Sequence, residues 1–267
     1  MKPNTRVFAI LAAVAIAATC LAPNAALATC PNANSAVLKT RVFNDCPSST
    51  LTTLNAYPGL ISIDDSVLDC GGFANLHIWN FSEDGATAAV FNNDDSFTMS
   101  AELTISGTSE GEAGMRVSPW WSQDVDGRFN VRTSDGEVAC FGGRLPFYSF
   151  TGSHGVVYAK GTTIILTVTY TPNDLNVGNP ATIEYEVDYG GHFTSGPIPF
   201  DEGNPAEGMG SWGMLDDARV GGYIQAFLQG GNPGAELSAD WANINYMCNG
   251  PVSVENSTWS GMKALYR

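Results

Sequence analysis

Short runs of β-branched and aromatic residues recur through this chain, and turn-forming residues separate them. Within the runs apolar and polar residues alternate, and in a strand such residues point to opposite faces of the sheet. Glycine, asparagine, aspartate and proline mark the breaks. The pattern predicts an all-β antiparallel sandwich or barrel with a single helical turn in a loop. The predicted strands are 37–43, 60–64, 97–105, 114–120, 128–133, 137–142, 163–171, 181–189, 221–228 and 239–247.

Two pairs of these runs predict hairpins. The dipeptide Asp135-Gly136 lies between two alternating runs, which is a strong signal for a tight hairpin turn. The runs 163–171 and 181–189 flank a polar loop, and the second continues through Gly190-Gly191 into a third short strand. Because no internal repeat or linker interrupts the pattern, we expect one domain over 29–248, followed by a tail at 249–267.

The N-terminus has the composition of an export signal. Lys2 and Arg6 precede an apolar run over 7–21, and Ala26-Leu27-Ala28 fits a signal peptidase site. We therefore expect a signal peptide over 1–28 and a secreted, periplasmic or cell-surface protein without a later transmembrane segment. Two alternatives are a retained N-terminal anchor and a lipid anchor at "LATC", residues 27–30, in which Thr29 replaces the usual small residue. The tail could also carry a sorting signal.

The charge of the chain is strongly acidic and restricts its partners. The full chain has 12 Lys and Arg against 27 Asp and Glu, a net charge of −15. Removal of the signal takes away two basic residues and leaves −17. Such a surface disfavours nucleic acid and anionic membranes, since both are bound through Lys and Arg.

Five cysteines remain after the predicted cleavage, an odd number in a compartment where disulfides persist. The simplest arrangement is two disulfides and one thiol. Cys140 is the predicted thiol because "EVACFGG" has the character of a strand interior. The predicted pairs are Cys30–Cys248 and Cys46–Cys70.

Four segments carry a resemblance to a known superfamily: "ILTVTYTP", "IEYEVDYGGHFTSGP", "ARVGGYIQAF" and "ADWANINY", in this order. Their succession resembles the concanavalin A-like jelly roll of laminin-G-type lectin domains and glucanases. The resemblance covers roughly residues 97–247. It implies two packed antiparallel sheets with a concave face and, in many relatives, carbohydrate binding or cleavage.

Glu184, Glu186 and Asp188 are spaced two apart and therefore share one face of a strand. Glucanases of the resembled superfamily place three acids on one strand for nucleophilic and acid catalysis. The spacing here fits that pattern, but the order of the acids does not. We expect a solvated strand face, with a catalytic triad as the alternative.

A second group of polar residues predicts a ligand-binding floor. Its members share strand faces in pairs and stand near an aromatic ring: Arg116 with Ser118, Asn130 with Arg132, Tyr223 with Gln225, and Trp120 beside them. Rings that stack on sugar faces and polar groups that bind hydroxyls are what a glycan site needs. The predicted function is non-catalytic recognition of a glycan or polysaccharide. The alternatives are a glycoside hydrolase or polysaccharide lyase on the same fold, and a structural or adhesive surface protein.

Metal binding is a secondary expectation. Asp124 and Asp126 in "DVDG" are a fragment of what calcium loops use, so they are candidate ligands for a structural calcium ion. The three histidines are scattered, which disfavours a transition-metal site. No cofactor is required by the predicted function, and the G-x-S-x-G pattern of a serine nucleophile is absent.

Overall fold

A computed structural model describes residues 30–201 and 212–249. The predicted signal peptide and the tail beyond residue 249 lie outside the described residues. Within them, no helix has the length and apolar character to cross a membrane. The strands are β1 (Ser35–Asn44), β2 (Thr50–Ala56), β3 (Leu60–Ser66), β4 (Ala74–Ser82), β5 (Phe97–Ser106), β6 (Gly111–Ser118), β7 (Arg128–Arg132), β8 (Val138–Phe141), β9 (Tyr148–Ser149), β10 (Thr163–Thr171), β11 (Thr182–Asp188), β12 (His192–Thr194), β13 (Ile198–Pro199), β14 (Arg219–Phe227) and β15 (Glu236–Cys248).

The strands form two antiparallel sheets. The front sheet has the order β1-β4-β14-β6-β7-β8-β9, and the back sheet has the order β12-β11-β10-β5-β15-β3-β2, with β13 added beside β11. Consecutive strands form one end of each sheet, β6-β7-β8-β9 and β10-β11-β12, whereas β14 and β15 pair with strands that are distant in sequence, as in a jelly roll. The predicted all-β, two-sheet antiparallel jelly-roll sandwich is confirmed.

The hydrophobic core lies between the two sheets. Strict alternation in β5 and β10 turns every second side chain into it, which explains why these strands were recognisable in the sequence. Trp79 of the front sheet and Trp241 of the back sheet meet edge to face, with 6.1 Å between ring centroids. Each fully buried large apolar side chain contributes about 1.5–3 kcal/mol to stability.

Two long strands escaped the sequence pattern. β4 is buried along its whole length, and Asn75, His77 and Asn80 interrupt its apolar run. These polar groups are satisfied inside the protein: His77 Nε2, for example, lies 3.0 Å from an Asp65 carboxylate oxygen. β2 was missed for the opposite reason, since it is a largely exposed edge strand.

The predicted hairpins and disulfides are present. β7 pairs with β8 across a turn in which Gly136 has φ +74°, a conformation that favours glycine. β10 pairs with β11, and β11 continues into β12. Disulfides join Cys30 to Cys248 and Cys46 to Cys70, and Cys140 is a buried thiol, as predicted.

Helical structure is confined to two short turns in the described residues. The single predicted turn corresponds to α1 (Phe150–His154), whose first amides are capped by Ser149. The prediction that β6 extends to residue 120 is wrong, because the strand ends at Ser118 and Pro119 leads into a 3₁₀ turn, Trp120–Ser122. This change of direction carries the chain across the outer face of the front sheet.

Candidate functional site

The three acids of β11 lie on the solvent side of the back sheet. Their neighbours in the strand, Ile183, Tyr185 and Val187, point into the core. Glu184 accepts a hydrogen bond from Thr194, Asp188 lies 2.9 Å from His192, and Glu186 lies 3.9 Å from the same histidine. Carboxylates that face solvent and have local partners agree with the expected solvated strand face. They lie on the back sheet, whereas the polar floor lies on the front sheet.

The predicted polar floor forms on the outer face of the front sheet. β6, β7 and β14 are neighbours there, which brings together side chains far apart in the chain. Tyr223 donates its hydroxyl hydrogen to Asn130 Oδ1 at 2.6 Å. Across the strand pair, Tyr223 faces Gly114. Gln225 stands one step further along the same face of β14.

At the centre of this floor is Arg128, which the sequence analysis missed. Its Nε donates to the Val125 carbonyl at 2.8 Å, one terminal nitrogen donates to the Glu112 carboxylate, and the other donates to Gln225 Oε1 at 3.0 Å. The guanidinium carbon lies 4.6 Å from the centroid of the Tyr223 ring, in cation–π contact. We call the group Glu112, Arg128, Asn130, Tyr223 and Gln225 the front site.

Arg128 and Glu112 had a signal in the sequence that was not used. Arg128 stands two residues before Asn130 on the same predicted strand face, and Glu112 is the only acid of the strand that carries Arg116. Their pairing depends on the register between β6 and β7, which sets Glu112 opposite Arg132. The sequence pattern does not contain that register.

Burial changes the acid–base properties of the front site. It raises the pKa of Glu112 above its ordinary value, although the charges of Arg128 and Arg132 act in the other direction. Burial also raises the pKa of the Tyr223 phenol, and the neighbouring Glu112 charge adds to this. Tyr223 is therefore protonated at neutral pH and acts as a hydrogen-bond donor.

Arg116 occupies the adjacent position on β6 and is fully buried. Its terminal nitrogens donate to Ser118 Oγ, to the Gln123 carbonyl and to Asn80 Oδ1. Its Nε has no partner, and neither has Nδ2 of Asn130. Two donors on this face are thus buried without an acceptor.

Residues 119–127, which we call the strap, cover the front site. Val125 packs against the cluster of Leu76, Ile78 and Tyr223. The outer side of the strap is fixed by an ion pair between Lys39 and Asp124 and by hydrogen bonds from Gln123 to Asp217. The polar floor is therefore closed over by the chain itself.

The other predicted site residues lie at the margin. Arg132 forms ion pairs with Asp135 and Glu137, and Trp120 is half exposed, with its ring edge to face against Trp121.

Asp124 is committed to Lys39, and a backbone oxygen of Asp126 accepts from Ser118. In the described part of the chain, the one close group of three potential metal ligands contains Cys46, Asp69 and Cys70, and both sulfurs are joined in a disulfide. Calcium binding at Asp124 and Asp126 stays a prediction.

Comparison with known proteins gives similarity in structure alone. No protein family and no curated protein matches the sequence. An alginate lyase from Klebsiella pneumoniae has a TM-score of 0.48 and 11% identity, over 76% of this chain and 85% of that one. An alginate lyase of polysaccharide lyase family 7 has a TM-score of 0.42 and 10% identity, over 73% and 82%. A functionally unknown protein from Saccharomyces cerevisiae has a TM-score of 0.38 and 13% identity, over 78% and 98%.

The expectation of a non-catalytic glycan-recognition protein is corrected by these findings. Several of the similar structures are those of alginate lyases, which are catalysts and match the alternative interpretation better. The geometry gives the physical reason. Arg116, Asn130, Tyr223 and Gln225 were expected to form an open floor, but all four are buried. Tyr223 is bonded to Asn130, Gln225 to Arg128, and Arg116 to Ser118.

Proposed function

We propose that this protein cleaves an acidic polysaccharide by β-elimination at the front site. One observation carries the proposal: the Arg128 guanidinium contacts a carboxylate, an amide and the ring of a phenol at a single buried point. Elimination next to a uronate carboxylate needs a cation for that carboxylate, a base and an acid. Arg128, Glu112 and Tyr223 supply these groups.

The reaction can be written from these residues. The uronate carboxylate binds Arg128 in exchange for Glu112, and the guanidinium stabilises the negative charge that develops as the α proton leaves. Glu112 accepts the C5 proton, the C–H electrons form the C4–C5 double bond, and the bond from C4 to the leaving oxygen breaks. Tyr223 protonates that oxygen, and a proton passed from Glu112 through water to Tyr223 restores both groups.

Asn130 and Gln225 have supporting roles in this mechanism. Asn130 Oδ1 accepts the Tyr223 hydrogen bond and so fixes the direction of the phenol, while its unpartnered Nδ2 is free for a substrate oxygen. Gln225 holds the second terminal nitrogen of Arg128. Both amides keep the reactive groups oriented while the carboxylates exchange.

Hydrolysis fits the site less well. A glycosidase needs two carboxyl groups about 5 to 9.5 Å apart across the scissile bond. Among the described residues of the front site, Glu112 is the one carboxylate. The nearby Asp135 and Glu137 are held by Arg132 at the margin. The carboxylates of β11 stand on the other sheet.

A second candidate function is that of a structural surface protein. The observation in its favour is the strap itself, which fills the face where a ligand would bind. In that case Arg128 would serve only to fasten the strap to the front sheet.

The deciding experiment is a cleavage assay on uronate polymers, followed by the ultraviolet absorbance of the conjugated product. We expect Tyr223→Phe to lower the rate by about 100-fold or more, as is typical for loss of a general acid. Tyr189→Phe is the matched control, because that phenol hydrogen-bonds to Thr162 away from the front site. Absence of product from polygalacturonate, polyglucuronate and alginate would leave the structural function.

Three further expectations belong to the same proposal. The chain is exported through its N-terminal segment and acts on a polysaccharide outside the cytoplasm. Its kinship within the concanavalin A-like superfamily extends to the lectin and glucanase domains that it resembles. A calcium ion at Asp124 and Asp126 would stabilise the strap, and its binding can be measured by calorimetry of the metal-free protein.

A further inference from the structure

Arg116 is a buried cation without a counter-charge. No ion pair joins it to a carboxylate in the described ranges, and its three acceptors, Asn80, Ser118 and the Gln123 carbonyl, are all neutral. Removing a guanidinium from water costs free energy that neutral partners offset only in part. The unpartnered Nε adds to that cost.

The surroundings of Arg116 add positive charge. Burial lowers the pKa of Arg116; the charge of Asp124 opposes this effect, and the smaller effects of Arg128 and Arg219 add to it. Asp124 itself is paired with Lys39. Arg128 and Arg219 are likewise paired, with Glu112 and Asp217, so among these four cations Arg116 alone has no carboxylate partner in the described residues. A buried cation without a carboxylate partner favours an anion.

The strap supplies the oxygen atoms that an anion would otherwise provide. The carbonyl of Gln123 accepts from Arg116, and the carbonyl of Val125 accepts from Arg128. A carboxylate or sulfate oxygen would form stronger, charge-assisted hydrogen bonds with both guanidinium groups. On its outer side the strap is fixed by the Lys39–Asp124 pair, and ion pairs at such exposed positions contribute little.

We infer that Arg116 is the anchor for an oxyanion of a bound ligand, which replaces the Gln123 carbonyl and thereby releases the strap from the front sheet. The inference rests on the proposed function in taking a uronate polymer as the ligand. The anchoring oxyanion belongs to a sugar unit next to the one whose carboxylate meets Arg128. Strap release then opens the front site only when an anionic polymer is present.

Hydrogen exchange reports the release directly. The amides of Val125 and Asp126 donate to the Ser122 carbonyl in a single turn, which the packing of Val125 holds against the front sheet. An isolated turn is not stable in water, so both amides lose protection when the strap leaves the sheet. We expect saturating tetragalacturonate to speed their exchange about tenfold or more, and uncharged maltotetraose to leave it unchanged. Unchanged exchange with tetragalacturonate, or an equal effect of maltotetraose, would overturn the inference.

Two variants distinguish the role of Arg116 in binding the oxyanion from the role of the Lys39–Asp124 ion pair in holding the strap. Arg116→Met removes the guanidinium that binds the ligand's oxyanion, so tetragalacturonate should no longer speed exchange. Lys39→Met alters an exposed side chain and keeps the test valid if the first variant does not fold. It should raise the affinity for tetragalacturonate about two- to fivefold, since release becomes easier. Unchanged affinity and unchanged exchange in Lys39→Met would also overturn the inference.

The result is independent of catalysis. If tetragalacturonate releases the strap but no unsaturated product forms, the inference about Arg116 is supported and the proposed function is refuted. If the polymer is cleaved but the exchange of the strap amides does not change, the proposed function is supported and the inference about Arg116 is refuted. The wild-type full chain is used in both measurements.

Discussion

Asp95 offers a quantitative test of how burial acts in this protein. Its side chain lies in the turn before β5 and is 1% exposed. Burial raises the pKa of Asp95 to about 6 from 3.8, a hydrogen bond from the Asn92 amide opposes the rise, and the charges of Asp94 and Asp216 add to it. The folded state therefore holds this proton more tightly than the unfolded state does.

The sign and size of the effect on stability follow from linkage. Well below pH 3.8 the carboxyl is protonated in both states and has no effect. As the pH rises from about 4 to 6, the unfolded state loses its proton first, and the free energy of unfolding falls. The rise in the pKa of Asp95 from 3.8 to about 6 corresponds to about 3 kcal/mol, which is fully lost well above pH 6. Asparagine resembles the protonated form, so Asp95→Asn removes this loss.

The assay is urea unfolding, followed by tryptophan fluorescence, of the wild type and Asp95→Asn between pH 4 and 8. As the pH rises across this range, we expect the wild type to lose about 3 kcal/mol of unfolding free energy relative to Asp95→Asn. Asp94→Asn is the matched control, because Asp94 is exposed and its substitution removes the same charge. It should keep most of the wild-type slope. The reasoning would be refuted if the difference in unfolding free energy between Asp95→Asn and the wild type did not change with pH.

Three further outcomes are expected. Burial raises the pKa of Cys140 well above its ordinary value, so its thiol should not react with a disulfide reagent until the chain is unfolded, as a thiol count with and without denaturant would show. Leu103→Ala should lower the unfolding free energy by about 2–5 kcal/mol because the side chain is fully buried in β5, whereas Leu54→Ala on the exposed edge strand should change it by less than about 0.5 kcal/mol. Gly114→Ala would place a methyl group 1.8 Å from the Phe129 carbonyl, so calorimetry should show a loss of about 1–3 kcal/mol or more.

The fold was largely predictable because strand alternation is a local property. A residue such as Ile183 alternates with polar neighbours whatever the strand lies beside, and β11 was found for that reason. β4 was not found, because a strand buried on both faces has no alternation and its polar groups are satisfied by distant partners such as Asp65. The same limit applied to the loop after β6, where a 3₁₀ turn replaced the expected end of the strand.

The sequence by itself determined the strand pattern, the hairpin turn at Gly136, the parity of the cysteines and the residues that share a face within one strand. Only the tertiary structure decided which faces meet. Glu112 and Arg128 are 16 residues apart, and Arg128 and Gln225 are 97 apart, so their contacts depend on strand order and register. It also decided that the strap covers them. Burial, and with it the pKa of Glu112 and Tyr223, is a property of the whole packed molecule and has no local signal.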